Sequence, residues 1–315
     1  MARTLGLAAF DRARRFLEVE ARSLDRALFE FRFEGAPAEA VAAALVVYQN
    51  DDGGFGHALE PDVRTPSSSA LATGIALQAL KEIGYPASHD LVAGAIRYLA
   101  GSFYPVDQVW RAVPPDANEH PHAPWWHDED GSLARTFDGY LIIPRAQLVG
   151  LLHHFSDSVP AQWLEDLTER TVSDVETIEA LGTGGGDDLA YALALAEERT
   201  LPEQFRMRLL RRIRAVVPRA VSRDPAEWNS YCIHPLKIVH RPDSPVADQI
   251  WDAIQADLDY QIDHQHPEGT WEPVWTWGGA YPSAWEQARQ EWRGHLTLET
   301  LTILQAFGRI EAQAS

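Results

Sequence analysis

Two copies of one pattern, one toward each end of the chain, constrain this sequence more than any other feature. Each is a Gln, then a Gly followed at once or one residue later by an aromatic, then a helical stretch rich in Thr, Leu and Ala. The first copy is YQNDDGGFGHALEPD from Tyr48, continued by TGIALQALKEIG from Thr73. The second is YQIDHQHPEGTW from Tyr260, continued by TLETLTILQAFG from Thr297. Gly54 to Thr73 spans 19 positions and Gly269 to Thr297 spans 28, so the second copy carries the longer insert. Each reads as an apolar helix, a tight turn that Gly permits and an aromatic anchors, and a second apolar helix. Self-similarity of this kind marks repeated helical hairpins.

Helical periodicity continues between the copies, with apolar residues three and four apart in runs such as AEAVAAALVVYQ, HDLVAGAIRYLAGSF, RAQLVGLLHHF from Arg145 and DDLAYALALAEER from Asp187. Usual helix and loop lengths predict roughly ten to twelve helices and an all-α fold. Gly84 reads as a helix stop, Ser88 as an N-cap, and Pro160, Pro202 and Pro245 as helix starts. Three long irregular stretches remain, from Asp51, from Tyr104 and from Glu268 to Trp285, all rich in acids and aromatics. Loops of that length in a compact domain usually carry function. No Pro/Gly/Ser linker divides the chain, so residues 1–315 are expected to form one domain, and repeats at both ends predict that its first and last hairpins meet.

Acidic residues outnumber basic ones 46 to 27, a formal charge of -19 that repels phosphate backbones and anionic lipid surfaces. No nucleic-acid partner is expected. The N-terminal stretch alternates short apolar runs with charges, no window reaches the roughly 18 apolar residues of a membrane span, and a cytoplasmic location is expected. The single cysteine, Cys232, excludes an intramolecular disulfide and a multi-cysteine zinc site. RMRLLRRIR from Arg206 reads as a solvated or salt-bridged helix face, and GTGGGDDL from Gly182 as a helix connection, since it lacks the Lys-Ser/Thr end of a P-loop. Tryptophan is the outlier, with 11 residues, five of them between Trp271 and Trp292, either filling a core or walling a cavity.

The two patterns, through Gln49, Gly53, Gly54 and Phe55 and through Gln265, Gly269 and Trp271, resemble the QW-type repeats of the terpenoid cyclase and protein prenyltransferase superfamily. The resemblance implies an (α/α) toroid, a closed double ring of helices with long functional loops at one mouth, in which the Gln ties down a helix end beside the aromatic. The cyclase signatures do not carry over. The chain has no Asp-x-Asp-Asp, and the pairs Asp51-Asp52 and Asp187-Asp188 lack the third Asp of Asp-Asp-x-x-Asp. Prenyltransferase zinc sites use an Asp two positions before a Cys and a distant His that opens a helix. Here Ser230 precedes Cys232, while His295 stands where that histidine would open the final helix.

Chemistry therefore falls to the residues between the repeats. Asp52, His57, Glu60, Asp62 and Arg64 crowd the first stretch, and Pro61 fixes the backbone between two carboxylates. Two carboxyl groups in a partly dry cavity acquire separated pKa values, which general acid chemistry requires. The same acids could instead cap the next helix or pair with Arg64. The second stretch places His120, His122, His127, Asp128, Glu129 and Asp130 beside Trp125 and Trp126, a set that could bind metal or form polar surface. The third supplies Trp271, Trp275, Trp277, Trp285 and Trp292. Asp52, Glu60, Asp62 and Asp128 are the expected acid–base groups, and His57 with Trp125, Trp126, Trp271, Trp275, Trp277, Trp285 and Trp292 the expected substrate wall. No cofactor or metal is assigned. The resemblance implies a terpenoid-cyclase-like enzyme holding an apolar, isoprenoid small molecule. Sugar rings stack on Trp equally well, so a carbohydrate-active toroid (glycoside hydrolase or lyase) and a non-catalytic binding toroid are the alternatives.

Overall fold

The computed structural model of the chain describes residues 3–106, 108–129, 143–183 and 185–312. Among the described residues there are twelve α-helices and no β-strand, and pairing outside helices is confined to isolated bridges. The helices are α1 (Leu7–Val19), α2 (Ser23–Phe29, running into a π-helical turn Glu30–Glu34), α3 (Ala38–Val46), α4 (Ala70–Glu82), α5 (Asp90–Ser102) and α6 (Arg145–His154). They continue with α7 (Ala161–Thr177), α8 (Asp187–Glu197), α9 (Glu203–Ala220), α10 (Pro235–Ile238), α11 (Trp251–Asp263) and α12 (Pro282–Ala306).

Packing runs in order along the chain and returns to its start. Helix α4 packs on α5 and α6, α6 on α7 and α8, α8 on α9 and α10, and α10 on α11; α12 then packs on α1 and α2, α2 on α3, and α3 on α4. The chain ends are stitched directly: the Leu5 N–H donates to Arg309 O at 2.7 Å and the Glu311 N–H to Leu5 O at 3.0 Å. One apolar core extends from Leu5 to Leu304, so helices from both ends bury their faces together. The basic stripe of α9 is ion-paired: Arg208 reaches Glu169 and Glu176, and Arg214 reaches Asp248.

The two repeats fold alike, atom for atom. Gln49 Nε2 donates to Gly53 O at 2.9 Å and to Leu91 O of α5 at 3.1 Å; Gln265 Nε2 donates to Gly269 O at 3.0 Å and to Ala9 O of α1 at 3.1 Å. The Phe55 N–H bonds Thr73 Oγ1 at 3.0 Å, and the Trp271 N–H bonds Thr297 Oγ1 at 3.2 Å. Thus each Gln closes its own turn and grips a neighbouring helix, while each Thr on the following helix holds the aromatic. Gly53 and Gly269 have φ of 87° and 97°, where side chains are strained, and an added Cβ would lie 2.5 Å from Gly94 O and 2.5 Å from Ala13 N.

Three helix starts differ from the sequence reading; one is α11, which begins at Trp251 after a short 3-10 turn over Ala247–Gln249, six residues beyond Pro245. Helix α5 is capped by His89, whose Nδ1 accepts the Leu91 N–H at 3.3 Å, one residue after the expected Ser88. Helix α12 begins at Pro282, a favoured first position for proline, so the third irregular stretch ends at Tyr281 and Trp285, Trp292 and His295 all lie within the helix. His295 therefore opens no helix.

Ala at position 53 or 269 combines a left-handed backbone with a collision, and each variant should lose about 2–5 kcal/mol. Gly35→Ala, at φ 72° with open space around it, should lose only about 1–2 kcal/mol. Urea midpoints of the three variants check this ranking.

Candidate functional site

The acid-bearing stretch is held from two sides. Val63 bridges His122, the Arg64 N–H donates to Pro121 O at 3.0 Å and the Ala123 N–H to Asp62 O at 2.9 Å, so the first and second irregular stretches run paired. Beneath them Val63, Leu71, Val113, Trp126, Trp277 and Ala288 form a small apolar cluster apart from the main core. His57 and Ala58 both take left-handed backbones, φ 54° and 59°, uncommon for residues with a side chain. The His57 ring bonds Asn50 Oδ1 at 2.8 Å, which braces that turn.

Asp62 is 2% exposed and sits under tryptophans. The indole N–H groups of Trp277 and Trp292 both donate to its Oδ1 at 2.9 Å. Trp275, packed edge-on against Trp292 with ring centroids 5.1 Å apart, turns a third indole N–H toward the same carboxylate without completing a well-aligned hydrogen bond. Burial pushes the Asp62 pKa up, while these indoles and Arg64 pull it back. Arg64 is fixed in turn by Glu291 of α12 at 2.6 and 3.1 Å.

Glu60 is also buried, and its Oε2 has no hydrogen-bond partner. Its pKa lies well above the ordinary 4.5, first because burial removes water and second because the Asp62 charge is close. Backbone N–H groups and Arg22 only partly oppose this. Both carboxyl pKa values are raised, that of Glu60 well above its ordinary value, while the indoles favour the negative charge on Asp62.

Other half-buried polar groups feel the charges around the acid pair or lie on the helices packed near it. Tyr191 of α8 is one; burial raises its pKa, followed by the charges of Asp187 and Glu60. Glu299 of α12 is another. Burial would raise its pKa, but His295, His240, Lys237 and Arg32 hold it below 4.5. Lys237 pairs with Asp187 at 2.8 Å. Sequence reasoning missed Tyr191, Lys237 and Glu299. The available signal was a polar stripe in apolar helices, His295, Glu299 and Thr302 in HLTLETLT, which reads equally as a solvent face.

The remaining predicted residues lie elsewhere. Asp52 is exposed and closes the repeat turn, accepting from the Gly54 N–H at 2.9 Å and Ser68 Oγ at 2.8 Å. Neither acid caps α4, whose N-cap is Ser69. Asp128 is tied through its backbone to Asn118. Trp125 is exposed, whereas Trp126 is buried in the small cluster. Trp271 is a core residue whose indole donates to Gln261 O at 3.0 Å. Trp285 lies against Trp277, centroids 5.7 Å apart. His122 and His127 stack, with Nε2 and Nδ1 3.0 Å apart; Asp130 lies outside the described residues. Among the described residues no group of three or more His, Cys, Asp or Glu side chains is arranged to hold a metal ion. A cleft of about 390 Å³ between the ends of α6, α7 and α9, lined by His153, Leu164, Glu165 and Phe205, contains none of the predicted residues. No helix among the described residues is long and apolar enough to cross a membrane.

The raised Glu60 pKa has a signed consequence. The folded state holds this proton more tightly than the unfolded chain, so its contribution to stability is full below the ordinary value of 4.5 and is lost as pH rises through the folded value. Glu60→Gln does not titrate. As pH rises from 4.5 toward the folded value, the wild type should lose stability relative to Glu60→Gln, at up to about 1.4 kcal/mol per pH unit. Melting curves of both proteins across that range check it, and a constant gap would contradict a buried protonated Glu60.

The chain matches no protein-family model, no curated protein and no solved structure compared with it.

Proposed function

We propose that this chain is an (α/α) toroid enzyme whose central space takes a polar, sugar-like ring and hydrolyses a glycosidic bond, with Glu60 as general acid. The toroid reading is supported by packing that returns from α12 to α1 and α2, and by Gln265 gripping α1 as Gln49 grips α5. The acid role rests on one observation above all: Glu60 carries a buried, unpartnered carboxyl oxygen beside Asp62. A protonated carboxyl with an unused oxygen is suited to give its proton to a leaving oxygen.

The polarity of the interior favours a sugar over the isoprenoid that the repeats imply. Tyr191, His295 and Glu299 offer hydroxyl, imidazole and carboxylate groups, which match a polyhydroxylated ring better than a hydrocarbon. The indole N–H groups of Trp277 and Trp292 are committed to Asp62; Trp277 is fully buried, and the half-buried Trp292 is the one whose ring keeps accessible surface for stacking.

A panel of 4-nitrophenyl glycosides tests the reading. The wild type should release nitrophenol from at least one member, and Glu60→Gln should lower kcat by about 10²–10⁴-fold with little change in KM when a poorer leaving group is used. Turnover of linear prenyl diphosphates, with none of any glycoside, would restore the isoprenoid reading in its place.

A further inference from the structure

The cleft between the ends of α6, α7 and α9 includes neither acid of the pair and holds about 390 Å³, room for a small organic molecule. Val159, Leu164 and Phe205 give it an apolar wall, and His153, Glu165 and Gln204 a polar one. Leu164 and Phe205 belong to the main core, so the apolar wall is rigid.

His153, 8% exposed, is held in one tautomer. The Thr168 hydroxyl has a single proton and donates it to Leu164 O at 2.5 Å, so its oxygen must accept from His153 Nε2–H at 2.8 Å. Burial lowers the His153 pKa, and the charge of Glu198 only partly opposes this. Near neutral pH the ring is therefore uncharged, and its second nitrogen, Nδ1, carries a lone pair. Nδ1 bonds no described residue and is not shut off from solvent, so that lone pair opens on the cleft.

The charge around the cleft is one-sided. Glu165 is exposed and bonds no described residue, and among the described residues no Lys or Arg lines the cleft. Arg206, next after Phe205, is taken up by Glu203 and by the carbonyls of Glu198, Arg199 and Leu201. The first turns of α7 and α9 reach the cleft through Ala161 and Gln204, and a helix start attracts anions with about half a unit charge. Glu203 already offsets the start of α9, and the full charge of Glu165 outweighs the start of α7.

We propose that this cleft is a binding site for a small primary amine in its ammonium form. One N–H donates to His153 Nδ1, the charge faces Glu165, and the apolar body lies against Leu164 and Phe205. An ammonium has three donors and no acceptor, which suits a lone pair and a carboxylate set together. The site is independent of the glycosidic reading above.

Titration of 2-phenylethylammonium into the full chain, followed by the methyl NMR signals of Val159 and Leu164, tests the site. Saturation with a Kd of about 1 mM or tighter is expected. The neutral 2-phenylethanol and the anionic 3-phenylpropanoate should bind at least about tenfold more weakly. Glu165→Gln, an exposed change that breaks no bond to a described residue, should weaken the ammonium about 3–5-fold. His153→Phe, which keeps a ring and removes the lone pair, should weaken it about tenfold or more. If His153→Phe does not fold, Glu165→Gln decides alone. No saturable shift at the two residues up to about 50 mM ammonium overturns the site. So does binding of the alcohol or the carboxylate as tight as that of the ammonium, or a folded variant of either residue within about twofold of wild type.

Discussion

The bond from one glutamine amide to two backbone carbonyls is the constraint on which the rest depends. A side-chain amide has two N–H donors on a single nitrogen, and Gln49 and Gln265 each use that nitrogen once within their own turn and once on another helix. Each bond adds roughly 0.5–1.5 kcal/mol, but its larger effect is geometric, because it fixes how one hairpin meets the next. Gly53 and Gly269 make this possible: both turns press their backbone against another helix at a distance that no Cβ tolerates. With the turns fixed, the stretch that follows the first one is delivered to the same place as α12.

What is delivered there is electrostatically costly. Two carboxyl groups two residues apart are buried together, and neither is neutralised by a direct salt bridge. Indole N–H groups are weak substitutes for an arginine, and so Asp62 is stabilised as an anion without being fully compensated. Burial and that incompletely compensated charge together push the Glu60 pKa up. An arginine in place of Trp277 or Trp292 would hold both acids ionised and remove the asymmetry.

The helices and repeats were legible in the sequence because each repeat residue has a local physical role: Gly for a left-handed turn, an aromatic to fill, Thr to bond a backbone N–H. Glu60 and Asp62 were legible as a pair for the same reason, through the proline between them. Their partners were not. The indoles that reach Asp62 come from 215 and 230 residues away, and nothing local in WTWGG or EWRGH points to a carboxylate. Asp52 stood out as one of a crowd of acids, yet its oxygen is used within its own turn. Glu299 and Tyr191 were hidden for a different reason. A polar stripe on an otherwise apolar helix is the ordinary mark of a water-facing surface, and nothing local in the sequence of α8 or α12 shows which charges each stripe will feel.

The grip of Gln265 on α1 also orders events during synthesis. Helix α1 leaves the ribosome well ahead of the residues that clamp it, pair with Leu5 and cover its apolar face, which arrive about 250 to 300 residues later. At a translation rate of roughly 5–20 residues per second, Phe10, Phe16 and Leu17 are exposed for at least about ten seconds before their last neighbours exist. Over that interval the N-terminal helix is the segment most open to capture by a chaperone or by another nascent chain.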